Sequence, residues 1–149
     1  MSLLKKSSVW NEAEIESFFA DCVIPITLAC KAGNGSPLVC SLWYMYDEKA
    51  LWCATNASAS IVKCLTENPE CGFEVAPQDM PYRGVRGQGR VTVSSEAGMP
   101  VLLRLIDRYL GTRDSEFSQW LVQQATDEVA LRIDPHWFTS WDFTNRMQG

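Results

Sequence analysis

The segment "PLVCSLWYMYDEKALWCATNASASIVKCLTENPECGFEV" (residues 37–75) carries most of the pattern from which we predict the fold. Its first half contains two runs of apolar and aromatic residues, 38–46 and 50–55, which are typical of β-strands. Only "DEK" (47–49) separates these runs, and a connection of this length predicts a β-hairpin.

The second half of the segment changes from strand to helix at a cluster of small polar residues. A short helical pattern follows near 57–67, and "CGFEVAP" (71–77) predicts the next strand. Lys63 is the only cation within a dozen residues on either side, and the polar residues before it are Thr55, Asn56, Ser58 and Ser60. Such side chains commonly cap a helix. Together with free backbone amides and one ammonium group they also fit a phosphate site, and spacing alone favours capping but leaves both interpretations open.

Outside this segment the chain alternates between further strand and helix patterns. A helical pattern covers 11–21, and its first residue, Asn11, is a good N-cap residue. Helices are also predicted at 99–111 and 115–126, and strands at 22–32, 82–95, 128–133 and 136–143. Because most strands are joined by short turns, the order favours an antiparallel sheet or barrel with appended helices, in a single domain over 1–149.

Composition and charge exclude several classes of protein. The chain has 149 residues with 46% hydrophobic and 21% charged residues, which is ordinary for a soluble domain. Its net charge of -5 argues against a nucleic-acid-binding protein. The sequence contains no uninterrupted apolar run of membrane-spanning length and no signal-peptide pattern, so we expect a cytoplasmic protein with no membrane partner.

Cysteine and histidine offer little for metal chemistry. The six cysteines show no CxxC spacing and lie mostly in strand-like runs, so we expect reduced core thiols. His136 is the only histidine, and we predict no metal site and identify no catalytic residue. A lone histidine is more often a surface or capping residue than a ligand.

Two other features are candidates for ligand contact. In "PYRGVRGQGRV" (81–91), three arginines alternate with glycines, which in a strand often mark the close approach of a ligand or another backbone. A bulged strand with solvated arginines is an equally good interpretation. Six tryptophans are many for this length, and they either fill the core, stack on a planar ligand or line a dimer interface.

The order of these motifs resembles the pyridoxamine 5'-phosphate oxidase-like family of FMN-binding split barrels. The resemblance covers roughly residues 20–95 and rests on the hairpin, T-x-x-x-x-S-x-x-K, "L-x-x-N-P" and "PYRGVRGQGRVTV" as an ensemble. It implies a mainly β fold, a six-stranded antiparallel split β-barrel with appended helices. It also implies a homodimer with FMN at the subunit interface.

The resemblance further implies roles for individual residues. Thr55, Ser60 and Lys63 would bind the FMN phosphate, and the strand at Ser41, Leu42, Trp43 and Tyr44 would run along the flavin ring. Arg83 and Arg86 would approach the cofactor from the glycine-rich strand of the same or the other subunit. The implied activity is a flavin-dependent oxidation or reduction of a small molecule, with a nicotinamide cofactor as a candidate electron donor.

The sequence also departs from the true oxidase at its phosphate-binding positions. Val39 and Tyr44 stand where the oxidase has an arginine and a lysine, and Ser60-Ile61 replaces its Arg-Lys pair. The C-terminal segment that binds the vitamin-B6 substrate has no counterpart, so we do not expect vitamin-B6 oxidation. The alternatives are a flavin-binding or stress-related protein without turnover, a deazaflavin-binding barrel, and a haem-binding barrel that would depend on His136.

Overall fold

The computed structural model describes residues 3–148 and shows one curled antiparallel sheet flanked by short helices. The strands are β1 (Ile26–Lys31), β2 (Pro37–Leu42), β3 (Met45–Asp47), β4 (Ala50–Asn56), β5 (Glu70–Val75), β6 (Arg83–Ser94) and β7 (Glu128–Asp142). The helices are α1 (Glu12–Asp21), α2 (Ser60–Glu67), α3 (Gly98–Leu110), α4 (Glu116–Gln124) and α5 (Thr144–Met147).

The order of strands across the sheet is β2-β1-β5-β6-β7-β4-β3. The two outermost strands, β2 and β3, are therefore consecutive in the sequence and separated only by Trp43 and Tyr44. Two residues can join opposite edges of a sheet only if it curls back on itself, so the sheet is a barrel that stays open between β2 and β4. The predicted antiparallel split barrel is confirmed, with seven strands in place of the implied six.

The strand predicted over 38–46 is interrupted in the structure. The Tyr109 hydroxyl of α3 accepts a hydrogen bond from the Tyr44 amide at 3.0 Å and lies 2.7 Å from the Ile24 carbonyl, to which it donates. Tyr44 itself is fully buried, and its own hydroxyl donates to the Cys22 carbonyl at 2.6 Å. These long-range contacts divide the segment into β2 and β3, which sequence periodicity could not show.

The two strands predicted at 128–133 and 136–143 form one continuous strand, β7. Pro135 lies opposite Gly89, where the pairing of β6 and β7 shifts register between Gln88 and Gly89. A proline without an amide hydrogen is tolerated at such a bulge. β7 therefore runs the whole length of β6 and pairs with β4 through its first half.

The core fills the inside of the barrel and the space beneath α3. The inner faces of the strands contribute Leu28, Cys53, Phe73 and Ile133, and α2 adds Ile61, all nearly or fully buried. All six cysteines are free, as expected, and desolvation raises the pKa of the Cys71 thiol to about 12. Within residues 3–148, no helix is both long enough and apolar enough to cross a bilayer.

Candidate functional site

The opening in the barrel forms a cleft between β2 and β4. A cavity of about 340 Å³ lies there, which is at the lower end of the range for small-molecule pockets. Its strand side is formed by Ser41, Leu42, Trp43, Ala54, Thr55 and Asn56, and its helix side by Leu102, Leu105, Phe117 and Leu121, with Glu128 at the start of β7. We call this cavity the cleft. It brings together four of the residues predicted to contact a cofactor: Ser41, Leu42, Trp43 and Thr55.

β2 presents an unpaired edge to the cleft. It pairs with β1 on one side only, so its other backbone N–H and C=O groups have no strand partner. An unpaired strand edge can bind a polar ring through backbone hydrogen bonds, much as an added strand would bind. This is the arrangement that the resemblance implies for the strand beside a flavin ring.

Trp43 and Tyr44 have different surroundings although they are neighbours. The Trp43 ring stacks on Tyr109 with 4.8 Å between centroids and an angle of 7°, and it remains partly exposed in the cleft. The Tyr44 side chain points away from the cleft, and burial raises the pKa of its hydroxyl. The structure thus gives Trp43 access to a ligand and gives Tyr44 the role of fixing the turn between β2 and β3.

The N-terminus of α2 lies at one end of the cleft and has no side-chain cap. Its N-cap residue is Ala59, and none of the polar residues before it accepts a hydrogen bond from the first turn. Asn56 instead accepts hydrogen bonds from the amide and hydroxyl of Ser58, at 2.9 and 2.7 Å. The interpretation of this cluster as helix-capping residues is therefore wrong.

The first turn of α2 consequently retains free hydrogen-bond donors. Within the described part of the chain, the amides of Ser60 and Ile61 donate to no protein acceptor. Ser60 and Lys63 are exposed, and Lys63 makes no salt bridge within residues 3–148. Both residues lie outside the wall of the cleft, on α2, whose first residue, Ser60, follows the cleft residue Asn56 by four positions.

Arg83 and Arg86 lie elsewhere, on β6. Arg86 is on the outer face of the sheet, whereas Arg83, at the start of the strand, shares the side of the buried Val85. Ser41 pairs with Thr27, Thr27 with Glu74, and Glu74 with Arg86, so three strand spacings separate Ser41 from Arg86. At about 4.8 Å per spacing this is roughly 14 Å along the sheet. Arg86 lies over the Trp141 ring, 5.3 Å from its centroid, and Arg83 lines a separate hollow beside Tyr82. Neither arginine lines the cleft of its own chain.

The outer face around Arg86 is a shallow groove with a floor of small residues. Ala29 and Gly72 form its centre, and Thr27, Glu74, Gln88 and Trp137 line its sides. Lys5 lies over the Trp137 ring at 4.9 Å from the centroid. Two of the tryptophans that sequence analysis selected, Trp137 and Trp141, thus border this groove, whereas Trp43 borders the cleft.

Glu128 is a residue of the cleft that sequence analysis missed. Its carboxyl group has no hydrogen bond or salt bridge within residues 3–148, and partial burial raises its pKa. A Cβ atom on Gly98 would lie 2.1 Å from the Glu128 carbonyl oxygen, so only glycine lets α3 pack this closely against the start of β7. Glu128 is the first residue of the predicted strand 128–133, and an acidic residue at that position was the only signal for it in the sequence.

His136 and the cysteines form no metal site. The His136 ring lies 2.7 Å from a carboxylate oxygen of Glu70 on the surface, far along β7 from the cleft residues. No group of three or more histidine, cysteine, aspartate or glutamate side chains among the described residues could hold a metal ion. Burial raises the pKa of Cys30 to about 11, which keeps this thiol protonated at neutral pH.

Comparisons with known proteins support the fold. No protein-family model matches this sequence, and no curated protein matches it either. Among solved structures, a conserved hypothetical protein from Mycobacterium tuberculosis is 26% identical, with a TM-score of 0.76 over 93% of this chain and 89% of that one.

Two further solved structures carry names that indicate a ligand. An F420 reductase is 23% identical, with a TM-score of 0.69 over 88% of this chain and 98% of its own. The haem storage protein HutZ from Vibrio cholerae is 16% identical, with a TM-score of 0.65 over 95% of both chains. These neighbours support the split-barrel fold that the strand order shows.

Proposed function

We propose that this protein binds FMN in the cleft and is a flavin-dependent oxidoreductase acting on a small molecule. The observation that carries the proposal is the uncapped N-terminus of α2 at the end of an open cleft. Free amides and the positive end of a helix dipole bind phosphate, and Ser60, Lys63 and Thr55 add a hydroxyl, an ammonium group and a second hydroxyl.

The remaining residues of the cleft fit a planar ring. The unpaired edge of β2 at Ser41 and Leu42 offers backbone donors and acceptors, and Trp43 offers an aromatic face. Tyr44 would contribute to FMN binding only by fixing the turn between β2 and β3. When bound, FMN would supply the hydride or electron transfer, while the protein binds the ring, orients it and limits its contact with water.

We further propose that a homodimer completes the site. Neither Arg83 nor Arg86 lines the cleft of its own chain, so either would come from a second copy to place positive charge beside the reduced flavin. The groove of small residues on the outer face, bordered by Trp137 and Trp141, is suited to packing against another copy. Ala29→Glu at the centre of the groove should give a monomer by light scattering, whereas Thr92→Glu, on an exposed part of β6, should leave a dimer. A dimeric Ala29→Glu variant would contradict this interface.

The first experiment is an absorbance and fluorescence titration of the purified protein with FMN. Flavin absorption bands with quenched fluorescence would support the cofactor, and stopped-flow mixing with NADH and NADPH would then test a nicotinamide electron donor. If FMN binds but neither donor reduces it with any acceptor, the protein is a flavin-binding protein without turnover. The proposal also keeps the protein in the cytoplasm, as a single-domain chain.

Two other cofactors are tested by parallel titrations with a deazaflavin and with haem. The F420 reductase among the neighbours favours a deazaflavin as the second candidate, because that cofactor is also a planar ring with a phosphate-bearing chain. The haem candidate is supported by HutZ, but here it depends on His136, which is paired with Glu70 at the surface. Full haem binding by His136→Ala would remove that residue as a haem ligand.

A further inference from the structure

α4 has two apolar stripes, and only one of them is used for folding. Val122 and Ala125 pack against α3, and Ser118 on the same stripe is fully buried and donates a hydrogen bond to the Thr112 carbonyl. The other stripe contains Phe117 and Trp120, whose exposed fractions are 51% and 52%. Neither ring belongs to a core cluster of the described residues, so folding does not explain them.

The second stripe stands at the cleft. Phe117 lines the cavity together with Leu102 and Leu121, and Trp120 stacks on Phe117 with 6.1 Å between centroids and an angle of 15°. A flat aromatic surface of this kind binds planar rings by stacking and by removing apolar area from water. The helix side of the cleft is therefore aromatic and aliphatic, whereas the strand side carries the polar groups already described.

Glu128 is the one carboxyl group in the wall of the cleft. It lacks a partner within residues 3–148, and its pKa is raised because it is partly removed from water. A carboxylate in such a place repels anions and is stabilised by a ligand that brings a positive charge or hydrogen-bond donors. The cleft thus combines an apolar, ring-binding side with one unpaired acidic group.

We propose that the helix side of the cleft binds a planar aromatic compound with a cationic or hydrogen-donating nitrogen group, which pairs with Glu128. The ring of this compound packs on Phe117, which Trp120 supports from outside the cavity, and Glu128 disfavours compounds that bring an anionic group to this side of the cleft. This inference rests on the proposed function, in which FMN lies along the strand side of the cleft, and it names the class of substrate that the helix side binds. This class of substrate differs from the phosphorylated substrate of the true oxidase.

Calorimetric titration with benzamidine and benzoate tests the inference on the protein with and without FMN. The two probes share a ring and differ in the sign of their charge. We expect benzamidine to bind at least about tenfold more tightly than benzoate, a difference of about 1.4 kcal/mol. Equal affinities, or no binding of benzamidine at millimolar concentration, would overturn the inference without the need for any variant.

Two pairs of variants then identify the groups. Glu128→Gln should weaken benzamidine binding about tenfold, whereas Glu116→Gln, on the exposed first turn of α4, should leave it unchanged. Phe117→Leu should weaken binding of both probes, whereas Phe143→Leu, an exposed ring that lies under Arg146, should not. Unchanged benzamidine affinity in Glu128→Gln would remove Glu128 from the site.

The outcome is separable from that of the FMN titration. Benzamidine binding without FMN binding would leave the inference standing and refute the proposed function. FMN binding with no preference for benzamidine over benzoate would support the proposed function and refute the inference.

Discussion

The helices of this protein begin in two different ways. α1 and α4 each start behind a side-chain cap, in which Asn11 accepts from the Glu14 amide at 2.8 Å and Ser115 from the Ser118 amide at 3.1 Å. α2 starts behind Ala59 with no such bond, although its preceding turn is richer in polar side chains. Two helices therefore cap their own first turn with a side chain, whereas α2, like α3 and α5, does not.

This difference shows that the same residue types serve different purposes in the two settings. At α1 and α4 one oxygen is placed to stabilise the helix, which is worth about 1 kcal/mol. At α2 the side chain of Asn56 closes its own turn with Ser58 and does not reach the helix. α3 and α5 also begin without a side-chain cap, so a missing cap does not by itself indicate binding. α2 differs from them because an exposed hydroxyl and an exposed ammonium group, those of Ser60 and Lys63, lie in its first turn.

Giving α2 the cap that it lacks should have the largest effect. In Ala59→Asp a carboxylate would accept from the free amides and place a negative charge where we propose phosphate. We expect FMN affinity to fall about 100-fold, or about 2.8 kcal/mol, while thermal stability stays equal or rises. Fluorescence titration and a thermal melt measure the two quantities, and an unchanged affinity would mean that nothing anionic binds there.

Removing the single cation of α2 should have a smaller effect. Lys63→Ala should weaken FMN binding about tenfold, because one charge-assisted contact to phosphate is lost. Lys49→Ala is the matched control, since Lys49 is an exposed lysine that pairs with Glu16 away from the cleft. Equal losses in both variants would point to a general effect of net charge.

Removing the caps of the other helices should change stability and leave binding intact. Asn11→Ala and Ser115→Ala should each lower the free energy of unfolding by about 1 kcal/mol, measured by urea denaturation. FMN affinity should remain that of the parent protein. A loss of affinity in either variant would show that binding depends on overall stability. The difference in capping between the helices would then not explain where FMN binds.

The smallest expected effect concerns the first residue of α2. Ser60→Ala removes one neutral hydroxyl, which is worth roughly 0.5–1.5 kcal/mol as a hydrogen bond to phosphate, so FMN affinity should fall a few-fold. The same substitution at Ser58, whose hydroxyl already donates to Asn56, should leave the affinity unchanged and lower stability slightly. Titrating both variants side by side separates the binding hydroxyl from the structural one.

Local sequence signals predicted much of the fold. The caps at Asn11 and Ser115, the hairpin at 47–49 and the left-handed Gly111 after α3, with φ 74°, are short-range features that the sequence carries directly. The division between β2 and β3 was not predictable, because it depends on Tyr109, which lies 65 residues away from Tyr44.

The candidate site was predictable only in its local part. Ser41, Leu42 and Trp43 face Thr55 because β2 leads directly into the β3–β4 hairpin, so the two sides of the cleft are close in sequence. The separation of Arg83 and Arg86 from the cleft depends on the strand order, which no local pattern specifies. The place of Glu128 depends on the close packing of Gly98 against β7, which is a long-range contact as well.

The two-residue step from β2 to β3 has a consequence for how the protein can respond to a ligand. Because Trp43 and Tyr44 alone connect opposite edges of the sheet, and Tyr109 holds both backbone groups of Tyr44, covalent geometry fixes the width of the opening at that end. We therefore expect the cleft to keep its width at that end when a ligand binds and to discriminate between ligands by their thickness. A single residue inserted between Trp43 and Tyr44 would widen the cleft at that end and admit thicker ring systems.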